Sequence, residues 1–301
     1  MTSRDWLSIG RVLSLTFIAW LVPPRLWRKA AVATSSVGRS DRSAVAYRQN
    51  LAQKYSLSDI AAITIRRRAY LRELRFEILG LNGPWRSWRP PIRLIGAAHL
   101  QQAIEAGRGA ILWVTETSFS TLIAKMALHA AGYRACQLSR PQHGFSTTPF
   151  GMRFLNPIWT RIEDRFIAER ILIKGETGAE ALAVLRERLG ANHIVIITVV
   201  PQAHKLVEVP FLHSRLPLPT GPIRLAKTTG AALLPVFTLA RDDGGFDVTI
   251  HHPLYPVAAE VDDASIATGY AKLLQTFALH HPAQWNGWQW LKHDTEKSGD
   301  G

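Results

Sequence analysis

From residue 91 onward, short apolar runs alternate with longer stretches in which apolar residues recur at helical spacing. A short run of branched apolar residues bounded by glycine or polar residues is typical of a strand buried on both faces of a sheet. A longer stretch rich in alanine and leucine that stops at glycine is typical of a helix. The pattern predicts strands at residues 110–114, 134–138, 194–200, 232–239 and 246–250, and helices at residues 43–53, 57–81, 122–131, 179–189 and 264–280.

This order of elements predicts an α/β fold in which helices flank a mostly parallel mixed sheet with one late antiparallel pair. Since no low-complexity linker interrupts the alternation, we expect residues 91–294 to form one α/β core. Residues 31–90 are predicted to be a basic helical region packed on that core, and residues 295–301 a disordered tail. Residues 1–30 are predicted to associate with a membrane.

The N-terminal segment is apolar from residue 6 to residue 22, and prolines and basic residues follow it directly. Arg11 leaves only residues 12–22 uninterrupted, whereas a spanning helix needs about 20 apolar residues. We therefore expect a helix that lies in the membrane interface. A short or tilted insertion, a secretory signal and a core-packing first helix are the alternatives. The residues predicted to contact the membrane are Trp6, Arg11, Phe17, Trp20, Arg25, Arg28 and Lys29.

Charge changes the picture of this region. The net charge of the chain is +13, and residues 1–93 contain 17 Lys or Arg against 5 Asp or Glu. Such a surface attracts nucleic acid and anionic lipid alike. Because the same region contains the apolar segment with tryptophan near both ends, membrane lipids are the predicted partners and nucleic acid is not. Arg72 and Arg75, near the run Arg66–Arg68, either extend this surface or form a solvated helix face.

Residues 107–122 read as a strand, a polar turn and the start of a helix, which is where α/β proteins place their sites. A purely structural alternative is that Thr117 or Ser118 caps the following helix. Neither Ser118 nor Ser120 lies in the Gly-x-Ser-x-Gly turn that activates a serine nucleophile.

The segment resembles the late acyltransferases of lipid A biosynthesis, the lauroyl and myristoyl transferases. In that family Gly-Lys-Gly and a hydrophobic strand precede a His, four residues and an acid. Aligning Gly107 and Gly109 with the family's glycines places Glu116 at the histidine and Thr121 at the acid. A third difference is Pro201, which precedes Gln202 where the family usually has Asp-Gln. Further similar blocks, in the family's order and spacing, lie at residues 47–51, 99–100, 138–141, 209–212, 219–222 and 281–285.

The resemblance implies acyl transfer from a thioester to a hydroxyl, which needs a base. Glu116 can replace the family's histidine only if burial raises its pKa. His143 is the second candidate, because loops that follow parallel strands converge at one edge of the sheet. His129 and His204 are the other histidine candidates, and His129 is disfavoured because it lies roughly 15 to 20 Å along the predicted helix from position 116. The predicted catalytic residues are therefore Glu116, Thr121 and His143.

Arg140 lies in the block similar to the family's Arg-Pro segment and is predicted to bind substrate. Thr220 and Gly221 precede Pro222 at the start of another predicted helix, which also carries Arg224 and Lys227. Its backbone amides can face a phosphate or a carrier group, although helix capping explains the same residues.

Other chemistry is not indicated. The single cysteine, Cys136, excludes an intrachain disulfide and a cysteine zinc site. No phosphate loop, dinucleotide fingerprint or His-Glu-x-x-His motif occurs, so no metal or resident cofactor is predicted. The resemblance implies an acyl carrier protein or coenzyme A thioester as co-substrate.

Two functions follow from these observations. The first is a membrane-associated acyltransferase at the cytoplasmic face of a bacterial inner membrane, which moves a fatty acyl group from the thioester to a lipid or glycolipid hydroxyl. The second is a catalytically silent relative that binds acyl lipid or supports another lipid-biosynthetic enzyme. The retained sequence blocks favour the first function, and the three substitutions favour the second.

Overall fold

The structure is a computed structural model that describes residues 2–35, 42–173, 178–254 and 261–292, without the side chains of residues 42, 43 and 121. The predicted tail at residues 295–301 lies outside this part of the chain. Nine strands are described: β1 Ile92–Ile95, β2 Ala110–Thr115, β3 Ala135–Ser139, β4 Glu169–Leu172, β5 Ile194–Val199, β6 Leu206–Phe211, β7 Ser214–Pro219, β8 Ala232–Ala240 and β9 Phe246–Ile250.

Seven of these strands form one sheet in the order β1-β9-β8-β2-β5-β3-β4. Strands β8, β2, β5, β3 and β4 run parallel to one another. Strand β9 pairs antiparallel with β8 and parallel with β1. The predicted α/β class, with a mostly parallel mixed sheet and a late antiparallel pair, is confirmed.

Every helix predicted from the sequence pattern is present in the structure. The observed ends of these helices lie within three residues of the predicted ends. Two short 3-10 helices, Pro24–Leu26 and Asn286–Trp290, accompany them. The α-helices are α1 Ser3–Leu21, α2 Trp27–Thr34, α3 Arg42–Leu51, α4 Leu57–Leu81, α5 Ala97–Glu105, α6 Ser120–Ala130, α7 Pro149–Phe154, α8 Asn156–Asp164, α9 Ala179–Gly190, α10 Gly221–Thr229 and α11 Asp263–His280.

Four strands were missed by the sequence pattern, for two physical reasons. Strands β1 and β4 have only four residues each, which is too short for a periodic signal. Strands β6 and β7 form a separate antiparallel hairpin that contains Pro210, Pro217 and Pro219. Proline argues against a central strand, but a two-stranded hairpin has outer edges that tolerate it.

The central strand β2 is buried along its whole length. Because side chains alternate between the faces of a strand, Ile111 and Trp113 enter one hydrophobic core and Leu112 and Val114 enter the other. The sheet is thus covered on both faces, and the residue after β2 emerges between two rigid cores.

The N-terminal helices form a third cluster, in which Leu15, Ala19 and Trp27 pack against Phe76 and Leu79 of α4. No single helix in the described ranges is long and apolar enough to cross a membrane. The residues Ser3–Leu21 and Pro24–Thr34 reach the required length and composition only together, and their axes bend by 114° at the junction.

Candidate active site

The carboxyl ends of the parallel strands meet at one edge of the sheet, and a cavity of about 740 Å³ lies there. Glu116 follows β2, Arg140 follows β3 and Gln202 follows β5, and all three line the cavity. The topology therefore brings together residues that are far apart in the sequence, as expected for the ends of parallel strands.

The turn that carries Glu116 is held by the C-terminal segment of the chain. The backbone N–H of Ser118 donates to the carbonyl of Gln284 at 3.0 Å, and the N–H of Asn286 donates to the carbonyl of Glu116 at 3.2 Å. Thr117 and Trp285 form an isolated β-bridge. Residues 284–286, where this block ends, thus have a physical role, since they hold the backbone of Glu116 and of the two residues that follow it.

The carboxyl group of Glu116 titrates near neutrality. Its side chain is half-buried, and burial raises its pKa to about 7, although the positive charge of Arg67 acts in the opposite direction. Arg67 is itself held by Asn286, whose Oδ1 lies 3.3 Å from its Nε, and by the ring of Tyr47, 4.3 Å from its guanidinium carbon. Glu116 therefore meets the condition under which a carboxylate becomes a useful base at neutral pH.

Two hydroxyl groups beside Glu116 are buried without a partner. Thr117 Oγ1 and Ser118 Oγ make no hydrogen bond within the described residues. Helix α6 has Phe119 at its N-cap and no side-chain capping bond. The purely structural interpretation of Thr117 or Ser118 as a helix cap is therefore wrong.

His143 also lines this cavity, and its ring contacts the buried carboxylate of Glu163. Its Nε2 lies 3.0 Å from both carboxylate oxygens of Glu163. Lys125 Nζ at 2.8 Å and Arg170 Nη2 at 2.9 Å also contact that carboxylate, and Trp159 Nε1 donates to it at 2.8 Å. Burial raises the pKa of Glu163, but the charges of His143, Lys125 and Arg170 outweigh burial and hold the pKa well below its ordinary value.

The cavity walls divide into a basic part and an apolar part. Among the described lining residues Glu116 is the only acid, which makes the cavity attractive to phosphate-bearing or carboxylate-bearing ligands. Apolar side chains on the remaining wall suit a hydrocarbon chain. The basic residues are Lys125, Arg140, Arg170, Lys205 and Arg224, and the apolar ones include Leu138, Ile173, Leu182, Leu185 and Leu225.

The structure brings most of the predicted binding residues to this cavity. Arg140, Thr220, Gly221 and Arg224 line it, and so does the alternative base His204. Lys227 is not among the lining residues, because its Nζ pairs with Asp263 at 2.7 Å.

The remaining predicted residues differ in outcome. Thr220 stands at the N-cap of α10 but does not cap it, since its Oγ1 donates to the carbonyl of Lys205 at 3.4 Å. Thr121 belongs to α6, and its side chain lies outside the described part of the chain. His129 is exposed near the end of α6, where its ring contacts Phe166.

Lys125, Glu163 and Arg170 were missed by the sequence analysis. Lys125 is the one Lys, Arg, Asp or Glu in helix α6, and a lone charge in an apolar helix was the available signal. Glu163 and Arg170 gave no comparable signal, because their partners come from other elements. Within the described ranges, no group of three or more His, Cys, Asp or Glu side chains is placed to hold a metal ion.

Comparison with known proteins agrees with this geometry. Residues 84–293 match the sequence profile of the family described as bacterial lipid A biosynthesis acyltransferase. The chain belongs to this family. The matched residues include the β2 turn with Glu116 and the segment that clamps it, so the predicted family resemblance is confirmed.

Among curated relatives, a phosphatidylinositol mannoside acyltransferase of Mycobacterium tuberculosis (strain ATCC 25618 / H37Rv) is 30% identical over 209 residues. The counterpart from strain CDC 1551 / Oshkosh is also 30% identical over 209 residues. The match covers 66% of this chain and 60% of each relative. This member of the lipid acyltransferase family therefore corresponds to only part of their length.

Proposed function

We propose that this protein transfers a fatty acyl group from an acyl carrier protein or coenzyme A thioester to a hydroxyl group of a lipid or glycolipid. The observation that carries the proposal is the half-buried carboxyl of Glu116, with a pKa raised by burial to about 7, in the lining of a cavity that also contains basic and apolar side chains. Membership of a lipid acyltransferase family supports the reaction class, and the name of the mycobacterial relative supports a glycolipid acceptor.

The proposed reaction begins when the carboxylate of Glu116 takes the proton of the acceptor hydroxyl. The hydroxyl oxygen forms a bond to the thioester carbon, and the electron pair of the carbonyl moves to its oxygen. When the tetrahedral intermediate collapses, the carbon–sulfur bond breaks and Glu116 returns the proton to the leaving thiolate. An ester and a free thiol are formed, and Glu116 recovers its carboxylate.

The basic wall supplies the electrostatic part of this mechanism. Negative charge develops on the carbonyl oxygen and then on sulfur, and fixed cations in a partly desolvated site stabilise such charge strongly. Lys125 and Arg170 are held by Glu163 and so need no reorganisation during the reaction. Arg140 and Arg224, nearer the sheet edge and α10, are proposed to bind the phosphates of the thioester carrier or of the acceptor.

His143 is a second candidate base, because its ring is oriented by Glu163 in the manner of a histidine–acid pair. When Nε2–H donates to that carboxylate, Nδ1 is the atom left to accept a proton. We place Glu116 first because it follows the central strand at the position that the family resemblance assigns to the base.

We also propose that α1 anchors the protein at the surface of a bacterial inner membrane, on its cytoplasmic face. Trp6 is 64% exposed, Phe17 is 68% exposed and Trp20 is 46% exposed, and the exposed Leu7, Leu13 and Leu21 lie on the same helix. Exposed apolar side chains beside basic residues are typical of an interfacial helix. Arg11, Arg25 and Lys29 are exposed as well. Arg28, also predicted to contact the membrane, faces inward and pairs with Glu73 at 2.9 Å.

A group of arginines between α1 and α4 adds to this surface. The pKa of Arg75 is lowered to about 9, first by burial and then by the neighbouring charges of Arg11 and Arg72. The pKa of Arg72 is lowered by burial and by Arg11 as well. A cluster of positive charge beside α1 attracts anionic lipid, which supports an anionic membrane as the partner.

The test is a thioester-release assay with acyl carrier protein and coenzyme A thioesters and with lipid and glycolipid acceptors. Glu116→Gln is expected to lower the rate by about 10²- to 10⁴-fold, the usual contribution of a general base. His129→Gln, on the exposed end of α6, serves as the matched histidine control for His143→Gln.

The outcomes separate the candidate functions. A large loss in His143→Gln with little change in Glu116→Gln would transfer the role of base to His143. Turnover that neither substitution changes would refute this site. Binding of acyl lipid without any turnover, at all pH values tested, would favour the catalytically silent relative.

A further inference from the structure

A second cavity, of about 520 Å³, lies apart from the acyl-transfer site. It is enclosed by the corner between α1 and α2, by α4, by the segment that precedes β1 and by the β8–β9 turn. Trp27, Trp85 and Trp88 line it, and the rings of Trp27 and Trp88 meet edge to face at 5.0 Å. Aromatic walls of this kind offer flat apolar faces together with indole N–H donors.

Three buried polar atoms of residues that line this cavity have no hydrogen-bond partner within the described residues. They are Arg28 Nη2, Glu77 Oε2 and Trp85 Nε1. Most buried polar atoms in folded proteins are paired, because an unpaired one loses its hydration without compensation. Three such atoms around one cavity indicate a ligand that supplies both hydrogen-bond donors and acceptors.

Charged groups of both signs surround the cavity. Arg28 Nε lies 3.1 and 2.9 Å from the two carboxylate oxygens of Glu73. Asp243 pairs with Arg241 at 3.1 Å. Glu77 is fully buried, and burial, followed by the charge of Glu73, raises its pKa well above the ordinary value. A raised pKa favours the protonated form of this carboxyl, which can both donate and accept a hydrogen bond.

We propose that this cavity binds the hydroxylated ring of an uncharged sugar. The hydroxyl groups of a pyranose both donate and accept, so they match the chemistry of Glu77 Oε2, Arg28 Nη2 and Trp85 Nε1. The apolar faces of the ring suit the tryptophan walls. A phosphate would meet the carboxylates of Glu73 and Asp243, and a quaternary ammonium ion would meet Arg25 and Arg28, so an uncharged ligand suits this lining better than either ion.

The sugar can be free in solution or can be the head group of a glycolipid. The prolines Pro23 and Pro24 line the cavity directly after α1, the helix with the exposed apolar face. A glycolipid in the membrane would therefore reach the cavity from that side. The glycolipid source depends on the membrane association proposed above, whereas binding of a free glycoside depends on neither that association nor acyl transfer.

The experiment measures binding of methyl β-D-glucopyranoside by saturation-transfer NMR and tryptophan fluorescence on the full chain. Inorganic phosphate and choline are the charged comparison probes. Trp85→Phe keeps an aromatic ring but removes the N–H donor, and Glu77→Met keeps the length of the side chain but removes both oxygens. Each is expected to weaken binding by about tenfold, the usual effect of one lost hydrogen bond to a buried group. Trp290→Phe and Glu180→Met, at residues that do not line the cavity, are the matched controls, and circular dichroism checks that each variant folds.

Saturable glycoside binding that both cavity variants weaken and both controls retain would support the proposal. Absence of glycoside binding up to the solubility limit would overturn it, as would equal binding by wild type and Trp85→Phe. Tighter binding of phosphate or choline at this cavity would also overturn it. Vesicles with and without a monoglycosyl diacylglycerol distinguish the two sources. If the cavity binds a lipid head group, the protein binds more tightly to the vesicles that contain the glycolipid, and Trp85→Phe removes this additional binding. All these readouts stand even if the acyl-transfer assay fails.

Discussion

The substitution Glu116→Gln should change how the stability of the protein depends on pH. In the folded protein the pKa of Glu116 is raised to about 7 from the ordinary value of 4.5, mainly because the carboxyl is buried. Between these two values the unfolded chain has lost the proton while the folded protein keeps it. Since the folded state then binds more protons, the free energy of unfolding falls as pH rises through this window. Because glutamine does not titrate, the variant does not show this fall in the free energy of unfolding.

The expected size follows from the two pKa values. Each pKa unit of difference between the folded and unfolded states corresponds to about 1.36 kcal/mol. The free energy of unfolding of Glu116→Gln, relative to wild type, should therefore rise by about 3 kcal/mol from pH 4.5 to pH 7 and stay level above pH 7. Groups common to both proteins cancel in this difference.

Urea unfolding followed by circular dichroism, repeated across this window, measures the difference directly. Glu180→Gln, on the exposed side of α9, is the matched control, and its difference from wild type should stay constant with pH. A Glu116→Gln difference that varies by less than about 0.5 kcal/mol across the window would refute the raised pKa. The proposal of Glu116 as a base at neutral pH would then lose its physical support.

Two further predictions concern the buried ion network and the N-terminal helix. Glu163→Gln should lower the free energy of unfolding by about 3 to 5 kcal/mol in urea titration, because it leaves Lys125, 3% exposed, without its partner; a loss no larger than that of Glu180→Gln would contradict this. In vesicle flotation, Trp6→Ser with Phe17→Ser should release the protein from anionic vesicles, whereas Leu57→Ser, 85% exposed at the start of α4, should not. Equal flotation of all variants would argue against α1 as the anchor.

Residues 107–122 illustrate how far the sequence alone reaches. The apolar run 110–114 and the polar turn after it were sufficient to predict a buried strand with a site at its end, because that pattern suits a strand covered on both faces. Similarity to the family then assigned Glu116 to the position of the family's histidine. The family profile confirms the resemblance, and the central place of β2 in the sheet explains why the turn is so tightly enclosed.

The clamp around this turn depends on partners that come together only on folding. Gln284 and Asn286 are far from Glu116 in sequence, and their hydrogen bonds to the turn follow from the path of the C-terminal segment over the sheet edge. Likewise, the pKa of Glu116 depends on burial and on Arg67. A sequence shows that a glutamate is present, but its solvation and its neighbours decide how it titrates.

The sequence by itself determined the α/β class, the principal strands and helices, the basic N-terminal region and the family, because these depend on local periodicity, composition and ordered motifs. Only the tertiary structure decided which charged side chains lie in contact with one another. It joined Lys125, His143 and Arg170 around Glu163, and it placed Arg28 inside a tryptophan-lined cavity. The physical reason is that hydrogen bonds and desolvation act over a few ångströms in space, whereas these residues come from separate helices, loops and strands.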